Sequence, residues 1–399
     1  MSGTRRKPGR LGPFVEGYRV WLLEAGYTPQ TVRWMLRDVS RLGRWMDAED
    51  VQIGALTVAG VESWLAARRA ADGYRVPTVR ALRALLSYLD GVGVMDEEAP
   101  PVLSPVEALV NGYRQWLIAD RGLAAMTVLR YETLARRFLS ARVTPADELG
   151  VTGLDGAVVA RFLLGECERV CLGSAKGKVA ELRCLLRFLH VRGFTSRSLA
   201  ESVPGVAGWR ETTIPPTMPQ GDIEALLASC DRATLDGARD RAMLMLLARL
   251  GLRSIEIARL QLDDLDWRGG DLLVRGKARR DDRLPIPDDV GVALAEYLVL
   301  RGRHESRSVF LTLRAPTRPI RADLVGDVVQ RHCRWAGVPH VGPHRLRHTL
   351  ATRMLAQGAA LAEISQVLRH SDLATTAIYA KVDLGRLRQV ARPWPGAAR

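Results

Sequence analysis

The chain is poor in lysine. Of its 58 lysine and arginine residues only five are lysine: Lys7, Lys176, Lys178, Lys277 and Lys381. Aromatic residues make up only 6%. No apolar run reaches the roughly 18 residues of a membrane-spanning helix, so no such span is expected. The opening MSGTRRKPGRLGP is basic, but no apolar segment follows it. It reads as a basic disordered arm (1–12), not as a secretory signal. The five cysteines, Cys167, Cys171, Cys184, Cys230 and Cys333, are odd in number and form no CxxC pair. That argues against a disulfide framework or a thiolate zinc site, and for reduced thiols in a cytoplasmic protein.

What the chain does have is positive charge, a formal net of +14. Its 399 residues are 47% hydrophobic, enough for two or three domains with proper cores. The charge implies a polyanionic partner, with nucleic acid foremost. It is uneven: 14 basic against 12 acidic residues in 1–100, 15 against 10 in 101–210, and 29 against 22 in 211–399.

The first half repeats itself. VEGYRVWLLEAG from Val15 resembles VNGYRQWLIADRG from Val110, and TVRALRALLSYLDGVGV from Thr78 resembles KVAELRCLLRFLHVRGF from Lys178. Leu82, Leu85, Leu86 and Leu89 show the i, i+3, i+4, i+7 recurrence of an amphipathic helix. Each copy reads as four or five short helices, with Tyr18, Trp21, Tyr113 and Trp116 in their cores. DEEAPPVLSP (96–105) and WRETTIPPTMP (209–219) close the copies, since paired prolines break helices. The expected domains are therefore 13–100, 105–208, a linker at 209–218, and 219–399. The last reads as mostly helical, with one small sheet and short strands including one around Phe310.

Four stretches of that last domain carry chemistry. GLRSIEIARL sets Arg253 one helical turn before Glu256, close enough to pair. LLVRGKARRDDRLPIP (272–287) reads as a hairpin holding one lysine, Lys277, among Arg275, Arg279 and Arg280. GPHRLRHTLATRML places His344, Arg347 and His348 on one helical face. VLRHSDLATTAIYAKVD holds His370 and, nine residues later, Tyr379. The two histidines of HRLRH resemble a zinc pair, but position 345 is Arg and Arg347 would repel a cation, so no metal is expected. Singly, each stretch has an ordinary explanation: Arg253 a surface ion pair, Tyr379 a core tyrosine, Lys277 a chance substitution. Together they suit phosphoryl transfer to a tyrosine. Two guanidiniums can grip the non-bridging oxygens with bidentate geometry. A histidine can take the phenol proton. A lysine near other cations can give its proton to a leaving oxygen, which arginine cannot do.

In these residues the chain resembles the tyrosine recombinase, or phage integrase, superfamily over about residues 107–392. The pattern of Arg in GLRxxE, Lys in a hairpin, HxxR, His and Tyr appears in the family's order. The resemblance implies a mainly α fold. It has two repeated helical (SAM-like, core-binding) domains, the first an extra copy, and a mostly helical catalytic domain with a small antiparallel sheet. It implies a site-specific recombinase with Tyr379 as nucleophile, forming a 3′-phosphotyrosyl link and a Holliday junction without metal, ATP or other cofactor. Arg253 and Arg347 would hold the phosphate. His344 and His370 would donate to it, with His344 accepting the tyrosine proton, and Lys277 would protonate the 5′ oxygen. Glu256 and His348 would support these groups. Lys176, Lys178, Arg279, Arg280 and Arg369 are candidate DNA contacts; Arg369 stands where the family usually has glycine. The implied partners are double-stranded DNA with a core site, three further copies in a synaptic tetramer, and other recombinases or DNA-bending accessory proteins. A bacterial, nucleoid-associated location follows. The tail holds Leu384, Leu387 and Val390, which suggest a short docking helix. A recombinase-derived accessory protein, a topoisomerase IB-like nicking-closing enzyme and a plain helical regulator are the rival readings.

Overall fold

The structure, a computed structural model, describes residues 9–72, 79–96, 103–206, 217–276, 281–369 and Tyr379. Lys277, Arg279, Arg280, His370 and the tail after Tyr379 lie outside the described residues. The chain divides into two compact units, one of Glu97–Thr212 and one of Met1–Asp96 with Thr213–Arg399. The first segment is thus grouped with the last, although their hydrophobic cores are separate clusters.

Before residue 97 the described residues form four α-helices after a short 3-10 turn, α1 (Val15–Glu24), α2 (Pro29–Ala48), α3 (Val58–Asp72) and α4 (Val79–Gly91). The hydroxyl of Thr28 accepts from the amide of Thr31 at 3.3 Å, and Pro29 occupies the first turn of α2, where its missing N–H costs nothing. Tyr18, Leu22, Val39, Leu42 and Leu89 fill the core.

The unit Glu97–Thr212 also has four helices, α5 (Pro105–Ala119), α6 (Ala125–Ser140), α7 (Gly156–Cys167) and α8 (Leu172–Val191). Ser104 and Asp155 cap α5 and α7. Each four-helix set holds one aromatic trio of the same shape. Tyr18 stacks on Trp21 with centroids 6.0 Å apart at 19°, and Tyr113 on Trp116 at 6.1 Å and 19°. Tyr88 closes the first trio at 5.4 and 6.1 Å, and Phe188 the second at 5.0 and 5.7 Å. Three buried carboxylates in this unit neutralise cations at its surface: Glu132 with Arg114, Glu166 with Arg137, and Glu181 with both Arg130 and Lys178. Lys178, expected at a DNA backbone, instead donates to Glu181 at 2.9 Å. Lys176 is exposed near the start of α8.

After residue 216 come α9 (Gln220–Ala228), α10 (Leu235–Leu250) and α11 (Ser254–Arg259). Strands β1 (Leu265–Asp266), β2 (Asp271–Arg275) and β3 (Asp281–Pro285) follow. Then come α12 (Asp288–Arg301), α13 (Ala322–Trp335), α14 (Pro343–Ala356) and α15 (Leu361–Leu368). The strands form one antiparallel sheet in the order β1-β2-β3, with Leu272 opposite Leu284. The strand expected around Phe310 is absent as such; isolated bridges join Gln261 to Ser308 and Leu311 to Pro319. Proline has no N–H to extend a ladder there.

Helix α10 is buried on nearly every side and is the axis of this core. Its Asp240 carboxylate, 2% exposed, joins Arg239 at 2.8 Å, His332 at 3.2 Å, and Arg331. Ser229 lies 2.8 Å from the other ring nitrogen of His332, but its hydroxyl donates to the carbonyl of Leu226 at 2.7 Å. This serine–histidine–aspartate chain therefore ties α9, α10 and α13 together and offers no nucleophile. The amide of Met218, just after the linker, donates to the hydroxyl of Thr349 on α14 at 2.9 Å.

Candidate active site

Three helix ends build the site. A helix C-terminus leaves carbonyls without intrahelical partners and carries the negative end of the helix dipole, so it suits a cation. Helix α10 ends at Gly251, whose φ of +57° is a left-handed cap that glycine adopts without strain. A Cβ at Gly251 would stand 2.9 Å from Leu368, so glycine also lets the end of α15 pack close. Arg347, on α14 and 4% exposed, donates to the carbonyls of both Gly251 and Leu368. Its charge is thus shared by two helix ends. Burial, with Arg253 and Arg369 close by, pushes its guanidinium down to about 9, which leaves it charged at neutral pH.

Arg253 stands at the N-terminal edge of α11. Its Nη2 donates to the carbonyl of Arg369 at 3.1 Å and its Nη1 to Glu256 at 2.7 Å. The two arginines therefore rest on consecutive carbonyls, those of residues 368 and 369. Glu256 also receives the backbone N–H of Arg253 at 2.7 Å. Its expected pairing with Arg253, one turn away, is present. Burial raises the Glu256 carboxyl, but the charge of Arg369 and the amide and guanidinium of Arg253 outweigh it and hold it below the usual value.

Arg369 is placed differently from the expectation of a DNA contact. Its side chain is 3% exposed, and its Nη2 donates to Glu256 at 2.8 Å. Its φ of +53° explains why glycine is favoured at such a cap. Arg369 keeps this backbone shape and turns its guanidinium inward onto a buried carboxylate. Three guanidiniums and one carboxylate meet here, a net of two positive charges. Only Arg253 keeps substantial exposure, with 34% of its side chain in solvent.

Tyr379 is 1% exposed and packs with Ala351, Leu355, Ile364 and Leu368. Its hydroxyl lies 2.7 Å from Nδ1 of His348. Burial pushes the phenol up to about 12, against the pull of Arg347. Burial also lowers the His348 imidazole, helped by His344, Arg347 and Arg345. A neutral imidazole facing a phenol is an acceptor for its proton. His344 keeps an exposed edge, yet the surrounding protein and the charges of Arg347 and Arg253 lower it too. No hydrogen bond joins His344 to Tyr379 among those described.

The site thus gathers Arg253, Glu256, Arg347, His348, Arg369 and the phenol of Tyr379. Sequence reasoning did not foresee the inward turn of Arg369, nor that His348 rather than His344 lies beside the Tyr379 hydroxyl. Nothing in the periodicity marks which histidine of HRLRH faces a residue 31 positions on. The one available signal for Arg369 was a non-glycine residue at a cap. On the hairpin, Arg275 pairs with the buried Asp264 at 2.8 Å, so part of its charge is committed.

The phage integrase family matches residues 216–386 of this chain. Protein y4rA of Sinorhizobium fredii, named an integrase/recombinase, is 38% identical over 404 residues, spanning 99% of this chain and 97% of its own length. Tyrosine recombinase XerC of Pelobacter propionicus is 31% identical over 291 residues, spanning 72% of this chain and 95% of its own length. Among solved structures, the XerH site-specific recombinase bound to palindromic difH covers 98% of both chains at a TM-score of 0.52 and 18% identity. A lambda integrase dimer bound to a COC' core site covers 67% of this chain and 96% of its own at 0.53 and 14%. At those identities the structures speak to the fold, which is mainly helical with a small antiparallel sheet.

Proposed function

The chain belongs to the phage integrase family and is a site-specific tyrosine recombinase, and from that premise we propose how its own residues cut and rejoin duplex DNA. The observation that carries the proposal is the shared seat of the two arginines on the 368–369 carbonyls, beside a tyrosine whose hydroxyl lies 2.7 Å from an imidazole nitrogen. A phosphodiester under attack gains negative charge on its non-bridging oxygens. Arg253, still partly exposed, and Arg347 supply fixed positive charge to meet it. The oxygen of Tyr379 forms a bond to phosphorus as the bond to the 5′ oxygen breaks. The phenol proton passes to Nδ1 of His348. The 5′ oxygen leaves with a proton from Lys277, and the products are a 3′-phosphotyrosyl link and a free 5′ hydroxyl. The reverse attack by a 5′ hydroxyl restores Tyr379 and reseals DNA. One phosphodiester replaces another, so no nucleotide cofactor is consumed.

His344 and His370 complete the donors around the phosphate. Four protomers would join two duplexes and exchange strands in two steps. We further read residues 13–100 and 105–208 as two copies of one helical domain; the matching aromatic trios support this. A nicking-closing or accessory role has no specific observation in its favour.

The test does not require a defined target sequence. The full chain is incubated with sheared genomic DNA of its source, denatured, and protein-linked fragments are isolated. Fragments joined through Tyr379 and sharing a core sequence are expected. No linked DNA with the wild type, or an equal yield with Tyr379→Phe, overturns the proposal.

A further inference from the structure

Helix α2 carries an arginine row that nothing in the catalytic reading uses. At about 100° per residue, positions 33, 37, 41 and 44 fall within an arc of roughly 80°. The row is about 16 Å long at 1.5 Å per residue. Arg33, Arg37 and Arg44 are exposed and Arg41 is half-buried. Arg33 donates to Gln30 and Arg44 to the carbonyl of Ser40, both neutral acceptors. Among the described residues, Arg41 pairs with a carboxylate of this helix, Asp38 at 3.3 Å, whose charge Arg37 also meets. Trp34, 52% exposed, borders the row.

The contrast with α6, the second helix of the other four-helix set, is instructive. There Arg130, Arg136 and Arg137 each rest on a carboxylate, those of Glu181, Glu107 and Glu166. The fold does not require its second helix to present uncompensated arginines. Like charges at i, i+4 weaken a helix, and within the row only the Arg41–Asp38 pair offsets part of that cost. The near-neutral balance of 14 basic and 12 acidic residues in 1–100 conceals the row, although α2 itself carries only two acids, Asp38 and Asp47.

We propose that the exposed arginine row of α2 is a second duplex-DNA surface, separate from the residues that grip the scissile phosphate. This rests on the DNA-recombining reading above. A straight row of guanidiniums fits a polyanion whose charges also run in a line. One strand of duplex DNA presents a phosphate about every 3.4 Å of axis, so the row spans about five. Guanidiniums bind phosphate with fork geometry and no sequence preference, so the row adds affinity and register without base reading. Trp34 lies where it would meet the sugar edge beside the phosphates.

The test uses the full chain and a fluorescein-labelled 40-base-pair duplex of random sequence, with binding followed by anisotropy across a sodium chloride series. Each phosphate contact adds about 0.9 to the slope of log affinity against log salt. Replacing Arg33, Arg37, Arg41 and Arg44 together by Gln should flatten that slope by about 3.6, while replacing all four by Lys should leave it near the wild-type value. An unchanged slope in the Gln variant overturns the proposal, as does a Gln variant that loses binding to poly-glutamate while keeping its DNA binding intact. Should the fourfold variant lose its helical circular dichroism, Arg37→Gln and Arg44→Gln singly should each flatten the slope by about 1, and no change in either overturns it. A wild-type chain that binds no duplex refutes the DNA reading itself, a result distinct from an unchanged slope.

Discussion

Arg369 sits where a glycine would be cheaper, and replacing it should expose what its charge does. In Arg369→Gly the left-handed cap is relieved of a side-chain penalty of about 1–2 kcal/mol. Against that, one partner of a buried ion pair is lost, about 3–5 kcal/mol. Glu256 keeps Arg253, so the lower figure applies and a net destabilisation of about 2 kcal/mol is expected. The larger effect should fall on rate. Glu256 would then be balanced by Arg253 alone, whose Nη1 and N–H it already holds at 2.7 Å. To engage phosphate, Arg253 must loosen a charge-assisted hydrogen bond of about 1.5–3 kcal/mol. That corresponds to cleavage slower by roughly 10- to 150-fold. If Arg369 acts by occupying Glu256, then Glu256→Gln added to Arg369→Gly should recover most of the loss. The assay is the rate of covalent adduct formation on a nicked duplex carrying the captured core sequence, with folding checked by thermal melting. A double variant as slow as Arg369→Gly, or slower, refutes the reasoning and leaves Arg369 with a packing role only.

Three further outcomes follow from the same geometry. The depressed imidazole of His348 should give cleavage an acid limb with a midpoint below the ordinary 6.5, rising with pH as the acceptor is freed. His348→Gln should slow cleavage by about 10²–10⁴ and abolish that limb, and a limb that persists returns the role to His344. Lys277→Arg should keep DNA binding, lose about 10²–10⁴ in cleavage of ordinary DNA, and recover on a 5′-bridging phosphorothiolate, whose leaving group needs no proton; normal cleavage by this variant would mean the lysine has no such part. Asp240→Asn should cost about 3–5 kcal/mol in urea unfolding, because Arg239 and Arg331 lose their counter-charge. The Asp240 carboxyl is raised by burial but held below its ordinary 3.8 by His332, Arg239 and Arg331. Its folded value is depressed, so its stabilisation should be full above 3.8 and fade as pH falls through that lower value.

Much of the architecture was legible because it is periodic. Leu82, Leu85 and Leu89 mark one helical face, and all three are buried. Tyr18 and Tyr113 were read as core and are 1% exposed. Glu256 lies one turn from Arg253, so their pairing could be read from spacing. Apart from the strand that does not form around Phe310 and the histidine that lies beside Tyr379, the departures concern charges that turn onto buried carboxylates. Lys178 looks like a surface cation until Glu181 and Arg130 are seen to share its surroundings. Arg369 looks solvent-facing until Glu256, 113 residues earlier, is placed beside it. Asp240 and His332 are 92 residues apart, and no pattern in either segment announces their meeting. Periodicity tells which side of a helix is apolar; it is silent on which buried carboxylate a long cation can reach.

A protein that searches a chromosome passes phosphodiesters in enormous excess over the few it should break. The dry seat of Tyr379 bears on that arithmetic. With its phenol at about 12, on the order of one molecule in 10⁵ has Tyr379 ionised at pH 7. Its oxygen also lies 2.7 Å from Nδ1 of His348, and the ring packs against Ile364 and Leu368 of α15. On the proposed reading, attack requires the phenol to surrender its proton to His348 and the scissile phosphate to reach its buried oxygen. Fidelity on this reading begins before any base is read, in a phenol that stays protonated along almost the whole genome.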